Sequence, residues 1–306
     1  MSDLASAQAT TPPVAHRSRG PLRAALVELR PAEWVKNVFV AAPLVFSGHL
    51  GEADRIGRAV AETAAFCLMA SAGYLVNDLR DVELDRQHPS KRRRPIAAGE
   101  LSVPVAITLA VVLAATALGL SSSIGWRAAA YVAGYALLTF SYSLVLKRLV
   151  IIDVLAIASG FLIRVLAGVA ATNVLHSDWL IVCTGSLAMF LGFTKRRQEA
   201  ASELHLGLDS RPVLEHYSLP FLDQMVSMVS TATVLSYVLY TVNSPLIGSR
   251  MLPTAGPVVY GVLRYLYLVY HCKDQRSTAT IIRKDPGIVA AGATWVAIAV
   301  LLLYTR

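Results

Sequence analysis

Long apolar stretches separated by short polar joints run along most of the chain. We place nine candidate membrane-spanning segments on them, at 34–50, 57–77, 102–122, 127–146, 153–173, 178–195, 222–242, 254–271 and 287–304. A helix needs about 20 mostly apolar residues to cross the hydrocarbon core of a bilayer, and most of the stretches have that length. The pattern therefore predicts an all-α, polytopic membrane protein.

Composition agrees with this class. Of the 306 residues, 55% are hydrophobic and 16% are charged, whereas a soluble domain carries about a quarter charged residues. The net charge of +8 would suit a nucleic-acid-binding protein, but the Lys and Arg residues lie in alternate joints rather than on one soluble face. We therefore attribute the charge to membrane topology and expect no nucleic-acid partner.

Neither the N-terminal segment nor the cysteines indicate a functional site. Residues 1–29 are predicted to be a disordered cytoplasmic tail, without the apolar core of a cleavable signal peptide, and residues 30–306 a transmembrane domain. Cys67, Cys183 and Cys272 have no CxxC spacing, so neither a disulfide framework nor a zinc site is expected.

The distribution of basic residues predicts an orientation. If the segments alternate, 21 Lys and Arg residues lie on the side of the tail and the joints 78–101, 147–152, 196–221 and 272–286, and 5 lie opposite. Basic residues concentrate on the cytoplasmic side of membrane proteins. We therefore predict a multi-pass protein of the cell (inner) membrane, with its N-terminus and active site facing the cytoplasm.

Chemistry concentrates after the second segment, in NDLRDVELDRQHPSKRRRPIAAG at 77–99. On a continuing helix Asp78, Asp81 and Asp85 would share one face. Clustered carboxylates repel each other unless a cation lies among them, and hard oxygen ligands favour Mg²⁺, which commonly completes its shell with phosphate oxygens. We therefore predict these three aspartates as catalytic and, with Asn77, as Mg²⁺ ligands next to a diphosphate.

Basic side chains follow directly, and arginine offers paired donors that match phosphate oxygens. The alternative is a solvated, topology-determining loop, which would account well for Arg92 and Arg93. Arg164, 11 residues beyond Asp153, would be costly in the membrane unless it faces an anion or a polar cavity, or snorkels. The candidate substrate-binding residues are Lys36, Asn77, Arg86, Lys91, Arg94, Tyr142, Lys147, Arg164, Lys195, Arg196 and Glu199.

These motifs resemble a known family. NDxxDxxxD closing the second segment, followed by DRxHPxKRxRPIAxG, is similar to the first aspartate-rich signature of the UbiA-type intramembrane prenyltransferase superfamily. The resemblance extends over about residues 30–304. It implies nine helices around a central cavity that opens to the cytoplasmic side and laterally to lipid.

One departure from the superfamily pattern is informative. Members with aromatic acceptors carry a second acidic motif after the sixth segment, where this chain reads KRRQEAASELHLG. With RPVLEHYSLPFLDQM and RPAEWVKNVFVAAPLVFS, that region resembles the decaprenyl-phosphate phosphoribosyltransferase branch. The resemblance implies a 5-phosphoribosyl 1-diphosphate donor, a polyprenyl (decaprenyl) phosphate acceptor, Mg²⁺ and a role in cell-wall arabinan synthesis.

Two other functions stay open. One is prenyl transfer from a prenyl diphosphate to an aromatic acceptor, which predicts a second acidic motif near 195–215. The other is a non-catalytic transporter or lipid-binding membrane protein, which predicts ionisable residues along a path to both faces. Contacts with membrane lipids are expected. A homo-oligomer, guessed to be a trimer, is compatible with small residues such as Ala167 and Gly168, which could pack helices within or between subunits.

Overall fold

The computed structural model describes residues 20–88, 91–175, 178–206, 212–244, 246–271 and 278–304, and these residues form helices joined by short turns, without a strand. The α-helices are α1 (Pro21–Glu28), α2 (Ala42–Phe46), α3 (Ala53–Arg80), α4 (Val82–Gln87), α5 (Val103–Ile124), α6 (Trp126–Leu144), α7 (Ile152–Thr172), α8 (Asp178–Leu206), α9 (Leu219–Val242), α10 (Ala255–His271), α11 (Thr278–Lys284) and α12 (Pro286–Tyr304). Short 3-10 helices cover Pro31–Val40, Lys91–Arg93, Leu146–Arg148, Pro212–His216 and Gly248–Thr254.

The all-α, membrane-protein class is confirmed. Within the described residues, five helices are long and apolar enough to cross a membrane: α3, α5, α7, α9 and α12. The other four predicted segments correspond to the 3-10 helix Pro31–Val40 with α2, to α6, to the first part of α8, and to α10. The first of these is interrupted and α10 has 17 residues, so nine spans do not follow from length and composition.

Five clusters of buried hydrophobic residues pack the described helices together, and two of them contain most of the buried residues. One is centred on α8, α9 and α10 and includes Phe190 and Leu222, and the other lies among α3, α5 and α6 and includes Phe66 and Val132. In contrast, α5 and α12 leave many apolar side chains exposed, such as Val111 and Leu301. An exposed apolar face of this kind is expected of a helix whose outer side contacts lipid.

A glycine brings the first segment close to α7. A Cβ atom added at Gly168 would lie 1.9 Å from the carbonyl oxygen of Val40, which is far inside van der Waals contact. Only glycine therefore allows the 3-10 helix Pro31–Val40 to lie directly on α7. This contact fixes the side chains of that 3-10 helix relative to the bundle.

One end of the bundle carries most of the charged side chains of the predicted site. The C-terminal turns of α3, the α4 helix, the 3-10 helix Leu146–Arg148, the start of α7 and the last turns of α8 meet there, and we refer to it as the charged end. Helix α1 also packs here, with Ala24 fully buried. Regular structure therefore starts within the segment 1–29 that was expected to be a disordered tail.

Candidate functional site

Asp78 lies near the C-terminus of α3 and is the most heavily engaged acid at the charged end. Its side chain is 1% exposed. Oδ2 accepts a hydrogen bond from Nη2 of Arg30, Oδ1 accepts one of 2.9 Å from Nη1 of Arg94, and Nδ2 of Asn77 lies 3.4 Å from Oδ1. Two guanidinium groups thus compensate one buried carboxylate.

Arg94 joins Asp78 to Asp85. The same Nη1 atom that binds Asp78 lies 2.6 Å from Oδ2 of Asp85, whose side chain is 4% exposed. Residues seven apart on a helix share a face, and these two aspartates do approach each other through the arginine. The structure therefore brings together Asn77, Asp78, Asp85 and Arg94 from the predicted set.

Asp81 lies apart from this pair. The helix does not continue smoothly through 77–87, because Asp81 separates α3 from α4 with φ −91° and ψ 9°. Its Oδ2 atom is 3.4 Å from Nζ of Lys147, and both side chains are 24% exposed. The expected single face of three carboxylates is thus divided into a buried pair around Arg94 and a half-buried ion pair with Lys147.

Glu28, at the end of α1, is a fourth acid at this site that the sequence analysis did not identify. It is 1% exposed, and its Oε1 atom has no hydrogen-bond partner among the described residues. Burial, together with a hydrogen bond to Asp78 and repulsion by its charge, raises the pKa of Glu28 to about 8. The raised pKa favours the protonated form of this carboxyl group. A lone glutamate before the first apolar segment gives no signal for this role.

A second ionic cluster centres on Arg196, on the last turns of α8. Its Nε donates to Oδ2 of Asp153 at 2.5 Å, Nη1 donates to Glu199 and Nη2 lies 3.2 Å from the hydroxyl of Tyr142. The side chains of Arg196 and Asp153 are 1% and 0% exposed. This buried pair joins α8 to the start of α7, and Tyr142 links it to α6.

Tyr217 completes that cluster. Its hydroxyl donates to Oδ1 of Asp153 at 2.8 Å and accepts from the backbone N–H of Ile151 at 2.6 Å. Burial raises the pKa of Tyr217, which keeps the phenol protonated and able to donate. Asp153 and Tyr217 were not among the predicted site residues, although Asp153 is the first residue of the fifth predicted segment.

The remaining predicted cations near the charged end pair with acids on their own helices. Lys36 binds Glu33 within the 3-10 helix Pro31–Val40. Lys195 lies 3.9 Å from Glu199 and is about half exposed. Lys195 also lies near Glu33: burial alone would raise the pKa of Glu33, but the positive charges of Lys36 and Lys195 contribute to lowering it.

Two predicted residues lie on the surface. Arg86 donates to Glu83 at 2.7 Å and to the carbonyl oxygen of Ala97 at 3.4 Å. Lys91 is exposed, and its backbone N–H lies 3.3 Å from Nδ1 of His88. Pro89 and Ser90, which precede it, lie outside the described residues. Neither basic side chain is brought to the Asp78–Arg94–Asp85 group by a contact in the structure.

Arg164 lies deeper in the bundle, on α7, and is 5% exposed. Its guanidinium donates to Oδ1 of Asn37, to the carbonyl oxygen of Gly160 and to the hydroxyl of Tyr135, at 2.7, 2.9 and 2.8 Å. It also lies over the rings of Tyr135 and Phe161, 4.5 and 5.3 Å from their centroids. The residue therefore faces the interior and does not snorkel to the surface.

The acids suit a metal shared with a substrate better than an all-protein metal cage. In the part of the chain that the structure describes, no three His, Cys, Asp or Glu side chains are grouped closely enough to hold an ion. Mg²⁺, however, is commonly bound through one or two carboxylates plus substrate phosphates. Asp78 and Asp85 supply hard oxygen donors of that kind, so the donor chemistry fits Mg²⁺.

Solved structures with this fold include metal-bound examples. A UbiA homologue of Archaeoglobus fulgidus, determined with GPP and Mg²⁺, superposes with a TM-score of 0.72 at 17% identity over 92% of this chain and 99% of its own. A digeranylgeranylglyceryl phosphate synthase structure gives a TM-score of 0.65 at 18% identity over 94% and 99%. At these identities the likeness shows the fold alone.

Sequence comparison is more specific. A relative from Mycobacterium tuberculosis named decaprenyl-phosphate phosphoribosyltransferase is 36% identical over 85% of this chain and 86% of its own length. A relative of the same name from Corynebacterium glutamicum is 39% identical over 69% of this chain, and the match spans 65% of that protein. The UbiA prenyltransferase family profile matches residues 38–284. The chain belongs to the UbiA prenyltransferase family.

Proposed function

We propose that the protein is a magnesium-dependent decaprenyl-phosphate phosphoribosyltransferase, which transfers 5-phosphoribose from 5-phosphoribosyl 1-diphosphate to a polyprenyl phosphate and releases diphosphate. The observation that carries this proposal is the pairing of a carboxylate site, Asp78–Arg94–Asp85, with a basic segment at 195–197 in place of a second acidic motif. The donor carries a diphosphate at one end and a monophosphate at the other. It therefore needs carboxylates that hold a metal for the diphosphate and, separately, basic side chains for the monophosphate. The names of the relatives from M. tuberculosis and C. glutamicum support the same reaction.

The carboxylates would serve the diphosphate end of the donor. Asp78 and Asp85, with Asn77 and Asp81, would hold Mg²⁺, which supplies charge neutralisation for the leaving diphosphate. Arg94 and Lys147 form ion pairs with these acids. Both cations would also be available to donate hydrogen bonds to the phosphate oxygens of the donor.

The reaction requires no proton transfer by the protein. An anionic phosphate oxygen of the lipid forms a bond to C1 of the ribose, while the bond from C1 to the diphosphate oxygen breaks and its electron pair leaves with diphosphate. Attack opposite the leaving group inverts C1 and gives a β-linked product. The chain's contribution is therefore to bind, orient and neutralise two phosphorylated reactants, and no catalytic histidine is needed.

We place this reaction at the cytoplasmic face of the inner membrane, where the charged end would lie. Nine spanning helices, formed by the five apolar helices and four further segments, would surround a central cavity open to lipid. The phosphorylated-sugar lipid would serve cell-wall arabinan synthesis. A homo-oligomer, with a trimer as the guess, belongs to the same proposal.

The second candidate is prenyl transfer to an aromatic acceptor, which is favoured by the fold shared with the GPP-bound homologue of A. fulgidus. It needs a second acidic site after the sixth segment. There Glu199 is engaged by Arg196 and Lys195, while Asp209 and the side chain of Glu203 lie outside the described part of the chain. Glu199 thus forms ion pairs with cations of its own helix, which argues against a metal-binding role for it.

Diphosphate release by the purified protein tests the proposal. In detergent with Mg²⁺, we expect release from 5-phosphoribosyl 1-diphosphate only when a polyprenyl phosphate is present, and none from geranyl diphosphate with 4-hydroxybenzoate. Asp78→Asn and Asp85→Asn should each lower turnover by at least about 100-fold. The matched control is Asp54→Asn, since Asp54 is 75% exposed and paired with Arg58 on the same helix. Near-normal turnover of Asp78→Asn would refute its role.

A further inference from the structure

Within the described part of the chain, no acidic side chain forms an ion pair with the Arg164 guanidinium. Its hydrogen-bond partners among the described residues are the amide oxygen of Asn37, the backbone carbonyl oxygen of Gly160 and the phenol of Tyr135, all neutral. Asn37 itself is 1% exposed, and its Nδ2 atom lies 3.2 Å from Sγ of Cys67. Aromatic rings offset only part of the cost of burying a cation, so these neutral partners leave part of that cost uncompensated.

Most of the other basic side chains predicted to bind substrate have an acidic partner among the described residues, unlike Arg164. They form ion pairs with carboxylates, namely Arg94 with Asp78 and Asp85, Lys147 with Asp81, Arg196 with Asp153 and Glu199, Lys36 with Glu33, Lys195 with Glu199, and Arg86 with Glu83. Arg164 therefore stands out as a buried positive charge held among neutral groups.

Arg164 also lies at a different depth. Helix α7 starts at the charged end, and Gly160, whose carbonyl oxygen binds Nη1 of Arg164, is seven residues beyond Asp153, which is about 10 Å along a helix. On α3, Cys67 next to Asn37 is 11 residues before Asp78, or about 16 Å. The guanidinium therefore lies about two to three turns deeper in the bundle than the Asp78–Arg94–Asp85 group.

We propose that Arg164, supported by Asn37 and Tyr135, binds the phosphate group of the lipid acceptor, while the phosphates of the soluble donor bind at the charged end. A guanidinium has five N–H donors, and three are used in the observed hydrogen bonds. The two that remain can bind phosphate oxygens.

The depth favours the lipid over the donor as the source of that phosphate. The acceptor's isoprenoid chain is apolar and stays in the bilayer, so its phosphate reaches the bundle from the membrane side. Tyr135 and Phe161 at the guanidinium, and Phe39 packed edge-on against Phe161, provide apolar surface beside the charge. This inference rests on the proposed function, because it assigns one phosphate of that reaction to one subsite.

Binding without the donor tests the assignment separately from catalysis. Farnesyl phosphate, farnesol and ribose 5-phosphate are the probes, and affinity is measured with the detergent-purified full chain. Arg164→Gln should weaken farnesyl phosphate binding by about 10- to 100-fold, Arg164→Lys should retain more affinity, and farnesol and ribose 5-phosphate binding should not change. The matched control is Arg127→Gln, since Arg127 is exposed and lies over the ring of Trp126.

Each outcome decides the matter. Loss of ribose 5-phosphate binding in Arg164→Gln, or unchanged farnesyl phosphate binding, would overturn the assignment. If Arg164→Gln does not fold, Arg164→Lys with a raised KM for the lipid phosphate and an unchanged KM for the donor supports it, and the reverse split overturns it. Failure of the wild type to release diphosphate would refute the proposed function, while the binding experiment would still test Arg164.

Discussion

Replacing Asp153 with asparagine removes one charge from the buried ion pair that joins α7 to α8. Arg196 and Asp153 are 1% and 0% exposed, and their contact is 2.5 Å. The substitution keeps the shape of the side chain. Because Oδ1 must still accept the hydrogen bond from Tyr217, the new amide N–H₂ group faces the Nε–H group of Arg196, and two donors meet.

The expected cost follows from burial. Removing one partner of a buried ion pair leaves an uncompensated charge and destabilises proteins by about 3–5 kcal/mol. Because Glu199 also pairs with Arg196, part of the arginine charge stays compensated. We therefore expect Asp153→Asn to lower the free energy of unfolding by an amount near the lower end of that range. The exposed counterpart is Asp223, 42% exposed and 2.8 Å from Arg197 on the same α8 helix. Asp223→Asn should cost about 1 kcal/mol or less, as exposed pairs do.

The assay is reversible unfolding in mixed detergent micelles containing increasing fractions of SDS, followed by tryptophan fluorescence. We expect Asp153→Asn to lower the free energy of unfolding by about 3 kcal/mol and Asp223→Asn to leave it nearly unchanged. Equal effects of the two substitutions would refute the argument from burial. A double variant, Asp153→Asn with Arg196→Met, should recover part of the loss because it removes the stranded charge.

Two further predictions concern the charged end and the first segment. Because the pKa of Glu28 is raised to about 8, the native state binds a proton that the unfolded chain releases near its ordinary value. Stability in EDTA should therefore fall as pH rises from about 4.5 to about 8, and Glu28→Gln should flatten that profile; an unchanged slope would contradict this. Gly168→Ala should cost about 1–3 kcal/mol through collision with the Val40 carbonyl, whereas Gly134→Ala, which meets no atom within 4 Å, should not; equal unfolding midpoints would contradict the close contact.

The sequence was sufficient for the helical membrane class and the family. Both depend on features that are local in the chain, namely apolar runs of spanning length and the contiguous motif at 77–99. The approach of Asp78 and Asp85 was also foreseeable from their spacing of seven residues. The division of the apolar runs into spans was less predictable. Pro31–Val40 forms a 3-10 helix that packs closely on Gly168 of α7, and apolar periodicity does not reveal such a tertiary contact.

Partners from distant segments could not be predicted in the same way. Arg30 adopts φ +51° and reaches Asp78 from before the first segment, and Tyr217 reaches Asp153 from beyond the sixth. No periodicity relates such positions, because tertiary packing alone brings them together. Asp81, at the boundary between α3 and α4, likewise pairs with a residue 66 positions away in the sequence, Lys147.

Asp78 joins two pieces of the chain that are distant in sequence. Its two carboxylate oxygens hold Arg30, 48 residues earlier, and Arg94, 16 residues later. Breaking the hydrogen bonds of this one carboxylate would therefore loosen two regions at the same time: the segment that leads into the bundle and the basic loop after α4. Amide hydrogen exchange in these two stretches should therefore rise and fall together, because both are held by the same carboxylate.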